Sequence, residues 1–86
     1  MSEDKTTRRQ GLTEPDDIVI SQRLKALRLK RGWTLKQVAR GMGMLIQTYQ
    51  KYEYAETMPS ARVVRAFALF YRVSSDYILG LKDSEE

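Results

Sequence analysis

Eighty-six residues with a formal net charge of +4, no cysteine and no histidine make one small domain, near the lower size limit for a self-sufficient core. That composition removes disulfides, thiolate–imidazole zinc sites, Cys or Ser–His nucleophile pairs and imidazole acid–base chemistry together, so no enzyme, metal or cofactor is expected. No stretch approaches the roughly 20 apolar residues of a membrane span, and the charged start MSEDKTTRRQ lacks the apolar core of a signal peptide, so the expected setting is cytoplasmic, without a membrane partner.

Residues 1–15 are polar, mixed in charge and free of apolar periodicity, and read as a flexible arm. Arg8 and Arg9 within it suit either a minor-groove contact or a tail without a role. Pro15-Asp16-Asp17 reads as a helix start, with proline tolerated in the first turn and carboxylates complementing the dipole. Ile20, Leu24 and Leu27 then form an apolar stripe and Gly32 supplies the stop, which gives a first helix over about 17–31.

WTLKQVARG opens the second helix. Thr34 is its N-cap, Gln37 completes a capping box, and Trp33 and Val38 are placed as a hydrophobic staple, which makes Trp33 a core residue. This helix ends near Arg40 or Gly41, and Gly43 can take a positive φ in the turn that follows. The third helix spans about 46–54. Wound at 3.6 residues per turn, it carries Leu45, Tyr49, Tyr52 and Glu53 on one side. Ile46, Gln47, Gln50, Lys51 and Tyr54 fall on the other.

ETMPS is a loop whose Ser60 caps a fourth helix, with Val63, Val64, Phe67, Phe70 and Tyr71 on its apolar side. In VSSDYILGL, Ser74 caps a fifth helix whose apolar members are Tyr77, Ile78 and Leu81. Those three suit either a contact between two copies or the chain's own core. A domain over 16–82 is thus expected between the arm and a frayed acidic tail, 83–86. No segment alternates as a strand would, and the class is all-α.

Basic charge is concentrated in the middle of the chain. Residues 1–20 sum to −2 and residues 55–86 to −1. Between them Arg23, Lys25, Arg28, Lys30, Arg31, Lys36, Arg40 and Lys51 face Glu53 alone, for +7 over residues 21–54. Such a block is the footprint of a polyanion surface, or simply a solvated basic face.

Two short helices joined by RGMGM have the layout of a helix-turn-helix, with small Ala39 midway along the first. From about Arg23 to Leu81 the chain resembles the lambda-repressor-like, Cro-type helix-turn-helix domain of bacterial and phage regulators. The resemblance is carried by RLKALRLKRGWTLKQVARGMG, YQKYE, the PS entering helix four, and VSSDYILG. It implies a compact five-helix fold and a sequence-specific transcriptional regulator, here a repressor, bound as a homodimer to double-stranded, pseudo-palindromic DNA.

Carried over by position, the resemblance implies a structural ion pair between Arg28 and Glu53, the one acid in the basic segment. It places Ile46, Gln47, Gln50 and Lys51 at base edges, where glutamine suits adenine, lysine suits guanine and an apolar group suits a thymine methyl. Thr34, Lys36, Arg40 and Tyr54 are then the expected phosphate contacts.

The chain departs from that pattern at several places. Leu45 stands where relatives place a Ser or Thr cap, a loss of about 1 kcal/mol, so it is expected to pack inward or against a partner. Leu35 replaces a phosphate-binding glutamine. Ala55, Glu56, Thr57 and Met58 replace a loop that begins with glycine, which predicts a different end to helix three and sets Glu56 against the DNA backbone. These departures keep open a second reading, an antitoxin or protein-interaction adaptor that uses an apolar patch of Met44, Leu45, Ile46 and Tyr54.

Overall fold

Hydroxyl side chains start three of the helices. The Oγ atoms of Thr34, Ser60 and Ser74 accept from the N–H groups of Gln37, Val63 and Tyr77 at 3.1, 3.2 and 3.1 Å, each satisfying a donor that the first turn leaves orphaned. Gln37 Oε1 reaches back to the Thr34 N–H at 2.8 Å and closes the capping box. The structure, a computed structural model, describes the backbone of residues 5–86 and the side chains of residues 18–86. Within it lie α1 (Lys5–Lys30), α2 (Leu35–Met42), α3 (Ile46–Glu53), α4 (Ala61–Tyr71) and α5 (Ser75–Ile78).

All five helices end alike. Gly32, Gly43, Ala55, Arg72 and Gly80 take positive φ, and the next N–H bonds the carbonyl five residues back, as Met44 does to Ala39 at 2.9 Å and Glu56 to Lys51 at 2.8 Å. This corrects the expected change at the end of helix three. Ala55 adopts the left-handed conformation, φ 61°, that glycine would hold without strain.

The start of α1 is a second correction. It lies at Lys5 rather than near Asp17, with Pro15 inside the helix, where its missing N–H removes one rung of the ladder. Apolar periodicity marks only the part of a helix that packs, here Ile20 to Leu27, and carries no signal ahead of it. The backbone expected as an arm is therefore helical from Lys5; the side chains of Arg8 and Arg9 lie outside the described residues.

The core gathers Ile20, Leu24 and Leu27 from α1, Val38 and Ala39 from α2, Tyr49 from α3, and Val64, Phe67 and Tyr71 from α4, closed by Val73 and Ile78. Aromatic rings fill its centre: Trp33 meets Phe70 at 5.3 Å and Phe67 meets Tyr49 at 5.6 Å and Tyr52 at 5.8 Å between centroids. Gly41 allows a close approach. A Cβ there would lie 2.5 Å from Phe70 Cε1, so α2 rests directly on the α4 ring.

Ile78 is fully buried, and Tyr77 packs against the core under the Arg23 guanidinium, 4.2 Å from the ring centre. Of the three residues expected at a contact between copies, Leu81 is the exposed one, at 72%. The acidic tail is docked rather than frayed. Glu85 accepts the Ser74 N–H at 2.8 Å through its carbonyl and meets Lys30 Nζ at 2.6 Å through its carboxylate. Arg23 donates to the Lys82 carbonyl at 3.0 Å and lies 3.6 Å from Asp83.

One polar contact joins α1, α2 and α3. Arg28 Nε and Nη2 donate to the two Glu53 oxygens at 2.7 and 3.1 Å, and Nη1 donates to the Trp33 carbonyl at 3.0 Å. Both side chains are withdrawn from water, at 12% and 1% exposure. Glu53→Ala is expected to lower unfolding stability by about 3–5 kcal/mol because it strands a desolvated guanidinium. Urea denaturation reads this directly; an unchanged midpoint refutes the role. Ala55→Gly should instead raise stability by roughly 1 kcal/mol through relief of the left-handed strain, seen as a higher thermal midpoint.

Candidate nucleic-acid interface

The inner face of α3 sets the direction of the outer one. Tyr49 and Glu53, one turn apart, are buried, and Tyr52 packs against the core through its edge-on contact with Phe67. The Tyr49 hydroxyl meets the Tyr71 hydroxyl at 2.8 Å inside the core. With those anchors fixed, Ile46, Gln47, Lys51 and Tyr54 project outward, and Gln50 lies half-buried beside them. Leu45 does not join the inner side. It is the residue before α3, makes no side-chain cap, and is 70% exposed. Packing against its own core is thereby ruled out, because extended backbone at the N-cap (ψ 150°) takes it off the helical face.

Two adjoining recesses cover this surface. One of about 360 Å³ runs between α2 and α3, lined by Lys36, Ala39, Arg40, Met44, Leu45, Ile46 and Gln47. The other, of about 250 Å³, is lined by Gln47, Gln50, Lys51, Tyr54 and Glu56. Gln47 belongs to both. The structure thus brings Lys36 and Arg40 of α2 onto the same surface as the expected base-reading residues of α3. Thr34 is exposed, but its oxygen already holds the Gln37 N–H. Of the apolar patch considered above, Met44 packs against the core, which leaves Leu45, Ile46 and Tyr54 exposed. Leu35 is half-buried against the core, an apolar role that its position at the first turn of α2 permits.

The fold also sorts the basic charge. Arg28 is held by Glu53, and Arg23, Lys30 and Arg31 lie within 4 Å of Asp83 or Glu85. Lys36, Arg40 and Lys51 have no ion-pair partner among the described residues. The exposed, unneutralised cations on α2 and α3 therefore share one surface, with Glu56 at its margin. Two features escaped the sequence reading. Gln50 Nε2 donates to the Tyr54 hydroxyl at 3.1 Å, a pairing whose i, i+4 spacing was available. An apolar groove of about 550 Å³ is lined by Ile20, Met58, Val64 and Leu79 among others; it joins segments far apart in sequence, and no local pattern announces it.

A family model described as Helix-turn-helix matches residues 24–78. A Bacillus subtilis (strain 168) protein described as an uncharacterized HTH-type transcriptional regulator, YobD, is 37% identical over 65 residues. The match covers 76% of this chain and 58% of that relative, so the chain spans less than two thirds of the relative's length. No solved structure matches the chain. Among the described residues, no helix is long and apolar enough to cross a membrane.

The tyrosine pair beneath α3 gives the fold a pH signature. Burial pushes the Tyr71 hydroxyl up to about 12, and burial with the neighbouring Glu53 and Tyr71 pushes Tyr49 higher still. Both pKa values are raised above their unfolded value, so this stabilisation is complete below about pH 10; as pH rises above that the Tyr71 part is lost by about pH 12 and the Tyr49 part continues to fall beyond it. Unfolding free energy should hold steady from pH 8 to 9.5 and then fall, by as much as about 1.4 kcal/mol per pH unit for each tyrosine. Tyr71→Phe should flatten that slope in denaturant titrations at pH 9–11.5; an identical slope refutes the assignment.

Proposed function

The chain belongs to the Cro/C1-type helix-turn-helix family, and from that premise we propose that it is a sequence-specific DNA-binding transcriptional regulator acting as a repressor. The observation that carries this reading is the outward row Ile46, Gln47, Gln50 and Lys51 beside unneutralised Lys36 and Arg40. Helix α3 enters the major groove with Gln47 and Gln50 at adenine, Lys51 at guanine O6 or N7, and Ile46 at a thymine methyl. Helix α2 crosses the backbone, where Lys36 and Arg40, one turn apart, neutralise phosphates. Tyr54 and the Thr34 hydroxyl extend that contact as neutral donors. Exposed Leu45 sits at the mouth of the inter-helix recess, where the sugar edge or a second methyl meets it.

Two copies bound to half-sites about one helical turn apart complete the operator contact. The support for a homodimer is the apolar groove of Ile20, Met58, Val64 and Leu79, flanked by exposed Leu81. Repression follows because a bound dimer occludes the DNA beneath it and needs no further activity. A second reading, contact with a protein partner, is favoured by the exposure of Leu45 and Ile46 at the start of α3. Salt separates the two, since phosphate binding weakens steeply as salt rises and an apolar contact barely responds.

Selection of bound fragments from random duplex DNA at two salt concentrations tests the proposal. It should return a symmetric site, bound more weakly at the higher salt. Lys51→Ala should cost about 1–3 kcal/mol and relax preference at one base pair, whereas Lys36→Ala should weaken all sequences alike and lower the salt slope by about one. No enrichment at either salt concentration refutes DNA reading, and equal losses on every sequence for both variants refute the assigned division of roles.

A further inference from the structure

Gln50 carries two amide N–H donors and one carbonyl acceptor. One donor is already engaged, with Nε2 3.1 Å from the hydroxyl of Tyr54 one turn along α3. Both side chains line the 250 Å³ recess on the outer face, so the pairing lies on the surface itself. What remains for a partner is one N–H and one carbonyl oxygen of the same amide. We infer that Tyr54 is a positioning residue that sets Gln50 to read adenine and to reject guanine; this rests on the DNA-binding reading above.

The discrimination follows from donor counting. Adenine offers an acceptor at N7 and a donor at its 6-amino group in the major groove. The remaining N–H and carbonyl of Gln50 match that pair one for one. Guanine offers two acceptors, N7 and O6, and a glutamine meets both only by turning both amide hydrogens toward the base. Tyr54 holds one of those hydrogens. The carbonyl of Gln50 then faces guanine O6, lone pair against lone pair. The opposite polarity, with the tyrosine hydroxyl donating to Gln50 Oε1, would free both amide hydrogens and favour guanine instead.

Tyr54 also has a hydrogen of its own to give. As an acceptor from Gln50, its hydroxyl can donate outward to a phosphate oxygen, and donation in that direction makes the oxygen a better acceptor for the amide. A backbone contact and a base contact are thereby joined through one exposed hydroxyl group. Because Tyr54 is 56% exposed, removal of that group should leave the fold intact.

The test uses the full chain and the duplex selected by the wild type. Gln50→Ala identifies the base pair that Gln50 reads, as the position whose preference disappears. Affinities are then measured on four duplexes that differ only at that pair, for the wild type and for Tyr54→Phe. The wild type should prefer adenine over guanine there by roughly tenfold or more. Tyr54→Phe should reduce that ratio several-fold, with the thermal midpoint and the salt slope unchanged, since the lost hydroxyl carries no charge. A wild-type preference for guanine, an unchanged ratio in Tyr54→Phe, or a Gln50→Ala variant with every preference intact overturns the inference while DNA reading stands. Failure of the wild type to bind duplex in a salt-dependent way overturns both.

Discussion

The two-pronged bond between Arg28 and Glu53 decides what the rest of the surface can do. A guanidinium is planar and rigid, and a bidentate bond to a carboxylate fixes both direction and distance. Here two prongs hold the last turn of α3 and the third holds the carbonyl of Trp33, next to the cap that starts α2. Rotation of α3 about its axis would break both carboxylate contacts together. The pair therefore acts less as a source of net stability, since burial of both charges is costly, than as a fixed reference for the face opposite.

That reference matters because α3 is only eight residues long and its intrinsic stability is small. Its first turn has no side-chain cap and its end holds an alanine in left-handed backbone. Both features weaken an isolated helix. Tertiary anchoring makes up the difference, through Tyr49 in the aromatic core and Glu53 on Arg28. The same division governs charge. Arg23, Arg28, Lys30 and Arg31 of α1 are matched by acids on α3 and in the tail, whereas Lys36, Arg40 and Lys51 of α2 and α3 remain available to an outside anion.

Much of this architecture could be read from the residues because the signals are local. Thr34 with Gln37, Ser60 and Ser74 are caps recognisable within four residues, and the stripe Ile20, Leu24 and Leu27 has the period of a packed helix. What escaped was non-local or lay outside packing. The extension of α1 to Lys5 has no core-facing pattern. Ile78 could be told from an intermolecular contact only with the position of α1 and α4 in hand. Helical periodicity does not apply to Leu45, because the helix begins after it. The outer row was legible as a row; that its Gln50 and Tyr54 touch each other needed coordinates.

The seat of α2 on Phe70 limits how this molecule can vary. No side chain at all separates Gly41 from the ring, so a single added carbon there must tilt α2 or displace the aromatic. A tilt of α2 would travel through the tight connection into α3 and re-aim its far side. Substitution at position 41 thus requires a compensating shift. Gln47 and Lys51 touch nothing that holds the domain together, and new side chains can be tried at those sites with little penalty to folding. Diversity should accumulate on the outer face of α3 while position 41 stays bare.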